Sequence, residues 1–204
     1  MNCLLDINKL RNRYFAMRHG HSLANQQGII VSLPQNGREN YGLSEQGQQQ
    51  VADSLRLSEE LDSNVIILSS DFKRARETAN IACASFNCLA PVTDEPRLRE
   101  RNFGDLELGS DSCYGEVWQH DKIDANSEFR GAESANQVMA RVTALVIECE
   151  ARYQDATLLL VSHGDALQLL QTAFAKLDAS VHRSLEHLET AEIRQLYLTE
   201  NDPL

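Results

Sequence analysis

Three short apolar runs, Tyr14–Met17, Val65–Leu68 and Thr157–Val161, each end in a polar turn: Arg18-His19-Gly20, Ser69-Ser70-Asp71 and Ser162-His163-Gly164. Short apolar runs alternating with helical periodicity predict buried parallel strands joined by crossover helices. The expectation is therefore an α/β fold with a mostly parallel central sheet. In open sheets of this kind ligands bind beyond the carboxyl ends of the strands. Two His-Gly turns at strand ends thus point to one shared site.

Three crossover helices are legible. Ser44 is placed to cap one carrying Val51, Leu55 and Ser58; Asp71 to cap one carrying Ala75, Thr78, Ala79 and Ala82; Ser134 to start one carrying Val138, Val142, Leu145 and Cys149. Ile193–Leu198 reads as a final strand, and 26–42, with its Gly, Pro and Asn, as a long loop near the first histidine. Residues 104–131 give the least readable pattern. A length of 204 residues without repeats, linkers or low-complexity tracts fits one domain spanning 1–204.

A formal net charge of -11 argues against binding a phosphate backbone, so nucleic acid is not an expected partner, although a small anion remains possible where a few arginines converge. Five cysteines, an odd number without a Cys-x-x-Cys pair, argue against a disulfide framework or zinc finger. With no secretory h-region and no apolar run of membrane-span length, the expectation is a soluble, cytoplasmic protein. Nothing in the sequence speaks to oligomeric state. For His120, His182 and His187 the default is a surface position.

Phosphoryl transfer needs a nucleophile, cations around the equatorial oxygens and a proton for the leaving oxygen. His19 suits the first role: adjacent arginine lowers a histidine's pKa while attracting phosphate, and Gly20 permits close backbone approach. The segment Ser69–Ala79 carries Arg74 and Arg76 in the first turns of a helix. Side chains two apart lie roughly 200° around a helix, so only one can face a phosphate, and Arg74, nearer the positive N-terminus, is the choice. Glu100, in a charged loop over 96–104, would serve as proton donor if burial keeps it protonated. A plain salt bridge to Arg99 or Arg101 is the competing account.

Four blocks in order, RHGHSLAN, SSDFKRARETA, LRERNFG and VSHGDAL, together with weaker GLSEQG at 42–47 and GAES at 131–134, resemble the histidine phosphatase superfamily, phosphoglycerate-mutase-like branch, from about Tyr14 to Leu198. The resemblance implies a three-layer α/β/α sandwich of phosphoglycerate-mutase-like fold. It implies His19 as the phosphorylated nucleophile, a phosphate pocket of Arg18, Arg74 and His163, and Glu100 as proton donor. It further implies substrate contacts from Asn25, from the backbone near Val31 and Ser32, and from Gly164, with neither metal nor organic cofactor. The expected activity is a metal-independent phosphomonoesterase acting through phosphohistidine on a small phosphorylated metabolite.

Two departures from the family pattern stand out. His21 occupies a position commonly glutamate, and Ala24 one often filled by a bulky aromatic. A mutase must also hold a doubly anionic substrate, yet 105–130 carries seven acidic side chains against only Lys122 and Arg130, which favours phosphatase over phosphoglycerate mutase. From other classes, a metal-dependent hydrolase using His19, His21, His163 and Asp165 is disfavoured by Arg18 and Arg74. Cysteine-based chemistry is disfavoured because none of the cysteines has an arginine six positions on. A catalytically inactive module that binds a phospho-ligand or protein is the non-enzymatic alternative.

Overall fold

A computed structural model describes residues 1–200; the last four positions of the expected 1–204 domain lie outside the described residues. The three apolar runs are strands, β1 (Arg13–Arg18), β2 (Ile66–Ser69) and β4 (Thr157–Ser162), joined by the short β3 (Thr93–Asp94) and by β5 (Ile193–Leu196). Their order is β3-β2-β4-β1-β5, with every pairing parallel except that of β1 with β5. The final strand is thus antiparallel and ends at Leu196 rather than Leu198. The order places β4 between β1 and β2. Arg18 pairs with Ser162 and Ser69 with Val161, so all three polar turns leave the same sheet edge side by side.

Alternation along each strand divides the core into two layers. Tyr14, Ala16, Leu158 and Leu160 face one cluster, completed by α6 (Ala135–Arg152) and α7 (Gly164–Phe174). Phe15, Met17, Leu159 and Val161 face the other, completed by α3 (Glu45–Arg56) and α4 (Lys73–Phe86). The result is the expected α/β/α sandwich. Ser44 caps α3 by accepting from the Gly47 N–H, and Ser134 forms a capping box with Gln137 ahead of α6. Ser58 lies beyond the end of α3.

Asp71 does not cap α4, whose N-cap is Phe72 without a side-chain hydrogen bond. Its carboxylate instead accepts two hydrogen bonds from Arg99, at 2.7 and 2.6 Å, with Arg38 at 3.2 Å. A bidentate guanidinium outcompetes a cap, since charge-assisted pairs are the stronger bonds. The 26–42 stretch is partly ordered, with α1 (Leu23–Gln27) running into it and a single turn, α2 (Pro34–Gly37), inside it. The unreadable 104–131 stretch contains α5 (Tyr114–Ile123) between 3-10 turns, and a third small core of Ile30, Phe103, Leu106, Val117 and Ala132 holds it to the site.

Candidate active site

His19 follows β1 and is buried. Its Nδ1 lies 2.8 Å from the Gly20 carbonyl, and Arg74 Nε donates to its Nε2 at 3.0 Å. A carbonyl can only accept and a guanidinium can only donate, so the proton sits on Nδ1 and the lone pair on Nε2. Burial, then Arg74 and Arg18, holds the ring's pKa well below the ordinary 6.5, so it is neutral near pH 7.

Arg74, the second residue of α4, is buried too and anchors through Nη2 on the Val31 carbonyl at 2.8 Å. Arg18 donates Nη1 to the Leu188 carbonyl at 2.9 Å. Arg18 Nε and Arg74 Nη1 remain buried without a hydrogen-bond partner. Unpaired buried guanidinium nitrogens are costly, and two of them beside one imidazole lone pair form a ready seat for an oxyanion. Arg76 points elsewhere, to Asp94 at 3.3 Å.

Glu100 lines the same cavity and is buried. The competing salt bridges are absent: Arg99 pairs with Asp71, and Arg101 with Asp121 at 2.6 Å. Instead Glu100 accepts from the backbone N–H groups of Arg101 at 2.9 Å and Ala166 at 3.3 Å. Burial, followed by the nearby Asp165 carboxylate, raises its pKa above the ordinary range. A carboxyl so held keeps its proton closer to neutrality than an exposed one.

His163, at the end of β4, stands behind His19 with ring centroids 5.0 Å apart. Its Nε2 meets Ser70 Oγ at 2.8 Å while Nδ1 has no partner, and burial with Arg74 keeps it uncharged. Asn25 and Gly164 line the cavity; the Asn25 side chain also accepts from the Ser22 N–H and hydroxyl, closing the α1 capping box. Ser32 is placed differently from expectation. Both its N–H and its hydroxyl donate to Glu107, at 2.7 and 2.6 Å, and it borders an adjoining cleft, leaving Val31 on the cavity wall. Here a carboxylate from the loop after Glu100 has taken the donors.

His21 turns its Nδ1 to Ser44 Oγ at 2.9 Å. Among the described residues no three His, Cys, Asp or Glu side chains converge as a metal site would require, His19, His21, His163 and Asp165 included. Part of the acidic excess of 105–130 is structural: Glu107 holds Ser32, Asp121 holds Arg101, and Glu116 lies 3.7 Å from Arg130.

Sequence reasoning missed Phe103, Tyr114, Trp118, Arg183 and His187, all of which line the cavity. The one tryptophan of the chain, isolated in an acidic stretch, was the available signal for α5. His182, expected at the surface, is fully buried, with Nδ1 at 2.9 Å from the Ala179 carbonyl.

Residues 14–204 match the family described as "Histidine phosphatase superfamily (branch 1)". The protein of Erwinia tasmaniensis named "Probable phosphoglycerate mutase GpmB" is 31% identical over 176 residues, covering 84% of this chain and 78% of that one. Among solved structures, a mycobacterial glucosyl-3-phosphoglycerate phosphatase superposes with a TM-score of 0.73 at 26% identity, over 90% of this chain and 88% of that one. The alpha-ribazole phosphatase of Shigella flexneri shares the fold, with a TM-score of 0.67 at 22% identity over 90% and 89% of the two chains.

Proposed function

The chain belongs to branch 1 of the histidine phosphatase superfamily, and on that footing we propose a metal-independent phosphomonoesterase that carries the phosphoryl group on His19 and acts on a small phosphorylated metabolite in the cytoplasm. The observation that carries the reading is the protonation pattern of His19. A neutral ring with its lone pair on Nε2 stands beside two unpaired guanidinium nitrogens, and that lone pair is free for in-line attack on a phosphate ester once Arg74 turns its Nε–H from Nε2 to a phosphate oxygen.

In the first half-reaction Nε2 attacks phosphorus while the bond to the ester oxygen breaks, and Glu100 delivers its proton to that oxygen. Arg18 and Arg74 hold the equatorial oxygens, and these two fixed cations supply the charge compensation without a metal. In the second, Glu100, now a carboxylate, takes a proton from the water that attacks the phosphohistidine. Phosphate leaves, with His19 neutral and Glu100 protonated again. His163 backs the His19 ring, and Asn25 and Gly164 border the seat.

The test is phosphate release from a panel of phosphomonoesters with chelator present, for wild type and His19→Ala. Release that survives chelation and falls at least about a thousandfold in the variant supports the reading. Relatives named as mutases give a second reading. Interconversion of 2- and 3-phosphoglycerate faster than phosphate release establishes that one instead. Failure of a labelled phosphoryl donor ever to label the wild type favours a binding module without turnover.

A further inference from the structure

The cavity beside His19 has two unlike ends. Around its inner end stand the free guanidinium nitrogens, His19 Nε2 and Glu100. One wall is aromatic and runs outward from buried Phe103 to partly exposed Trp118: Tyr114 stacks on Trp118 with centroids 5.7 Å apart and planes 12° from parallel, and Phe103 meets Tyr114 edge-on at 4.7 Å. The wall is rigidly mounted. The Trp118 indole N–H donates to both carboxylate oxygens of Asp165, at 3.0 and 3.1 Å, and the Arg183 guanidinium lies 3.9 Å over the indole ring.

Charge at this outer end is balanced. Its basic side chains are Arg183 and His187, and each already faces a carboxylate: Asp165 at 3.7 Å and Glu189 at 3.0 Å. Asp165 also meets Arg101 at 3.4 Å, and Arg101 is itself committed to Asp121. The cavity encloses about 190 Å³, below the roughly 300–1,000 Å³ of drug-sized sites. A phosphoryl group leaves room there only for a compact remainder.

Building on the phosphatase reading above, we propose that the Tyr114–Trp118 wall is the leaving-group subsite. It selects phosphomonoesters whose leaving group is compact, uncharged and apolar or flat on one face, over those carrying a second anion. A carboxylate at the outer end would shed its hydration beside Asp165 without gaining an unpaired cation. An apolar group set against the Tyr114–Trp118 wall loses nothing of the kind and gains contact with rings already held in place.

Matched pairs test this. Glycerol 3-phosphate and 3-phosphoglycerate differ chiefly in hydroxymethyl against carboxylate; phenyl phosphate and 4-carboxyphenyl phosphate differ by a ring carboxylate. For wild type, kcat/KM is expected to favour the neutral member of each pair by at least about tenfold, and phenyl phosphate over glycerol 3-phosphate. Trp118→Leu is expected to shrink that second preference to below about threefold. Arg183→Leu, a change at the rim that a poorly folding Trp118 variant would not confound, is expected to keep the bias against the acids. Loss of activity toward the acids alone in Arg183→Leu would make Arg183 a carboxylate clamp and overturn the proposal. Equal or better turnover of the acids by wild type overturns it too, and leaves the phosphatase reading standing. Absence of phosphate release from every ester removes the reading on which it rests.

Discussion

Glu100 and His19 have pKa values pushed in opposite directions by one shared cause, burial, because one is an acid and the other a base. Catalysis by neutral His19 and protonated Glu100 therefore gains activity as pH rises through the depressed histidine pKa and loses it as pH rises through the raised carboxyl pKa. Glu100→Gln removes the proton donor. The alkaline limb of kcat/KM is expected to vanish, and turnover of alkyl phosphates to fall by about a hundredfold or more. p-Nitrophenyl phosphate, whose leaving oxygen needs no proton, is expected to lose far less. A uniform loss across both ester types would contradict the role given to Glu100. At this scale the choice of Arg74 over Arg76 was readable from helix geometry alone, whereas the fate of Ser32 depended on where Glu107 would reach.

The helices act through where they press. α3 is held against the turn after β1: a Cβ on Gly47 would clash with the His21 carbonyl oxygen and sit 2.9 Å from its nitrogen. Those are backbone atoms and cannot swing aside, so Gly47→Ala forces the turn and the helix apart. A stability loss of about 1–3 kcal/mol is expected from overpacking, read from the urea midpoint. Because the moving turn carries His19, kcat/KM is expected to fall with it, by up to about a hundredfold for a displacement near 1 Å. Full activity in a folded Gly47→Ala protein would show that α3 does not set the position of His19. α5 explains why its stretch was illegible: it buries only Val117 and Asp121, and an aspartate at a core position defeats any apolar period. α3 and α6 were readable because cap and stripe agreed, whereas the Asp71 cap failed because Arg99, distant in sequence, reached its carboxylate first.

At the scale of the whole molecule, burial of ionisable groups ties stability to pH. His19, His163 and His182 are all buried with pKa values below the ordinary 6.5. As pH falls through 6.5 the unfolded chain takes up these protons and the folded chain does not. Stability contributed by neutral burial is thus complete above about pH 6.5 and declines below it, by up to about 1.4 kcal/mol per pH unit for each histidine. Glu100 opposes this in part, since its raised pKa lets the folded state bind a proton first, adding stability as pH falls toward the ordinary 4.5. With three histidines against one carboxyl, the urea midpoint is expected to fall between pH 7 and pH 5. A flat profile would mean that the histidines are charged in the native state. The same network fixes the active-site walls, because buried Arg101 joins the Glu100 loop to Asp121 on α5 and Asp165 on α7. No helix among the described residues is long and apolar enough to cross a membrane.

From residue order alone come the α/β class, the three strands with polar ends and the caps of α3 and α6, together with the nomination of His19, Arg18, Arg74, Glu100 and His163 as one set. Each of these rests on a short-range regularity: an apolar run, a helical period or a fixed spacing along one element. Long-range packing settled that β4 lies between β1 and β2, so that His163 backs His19, and that Arg99, Arg101 and Glu107 take Asp71, Asp121 and Ser32. It alone brought Trp118 and Arg183, 65 positions apart by residue number, into stacking contact beside the cavity. Pairings between distant charges depend on chain crossings, and a local pattern carries no record of those.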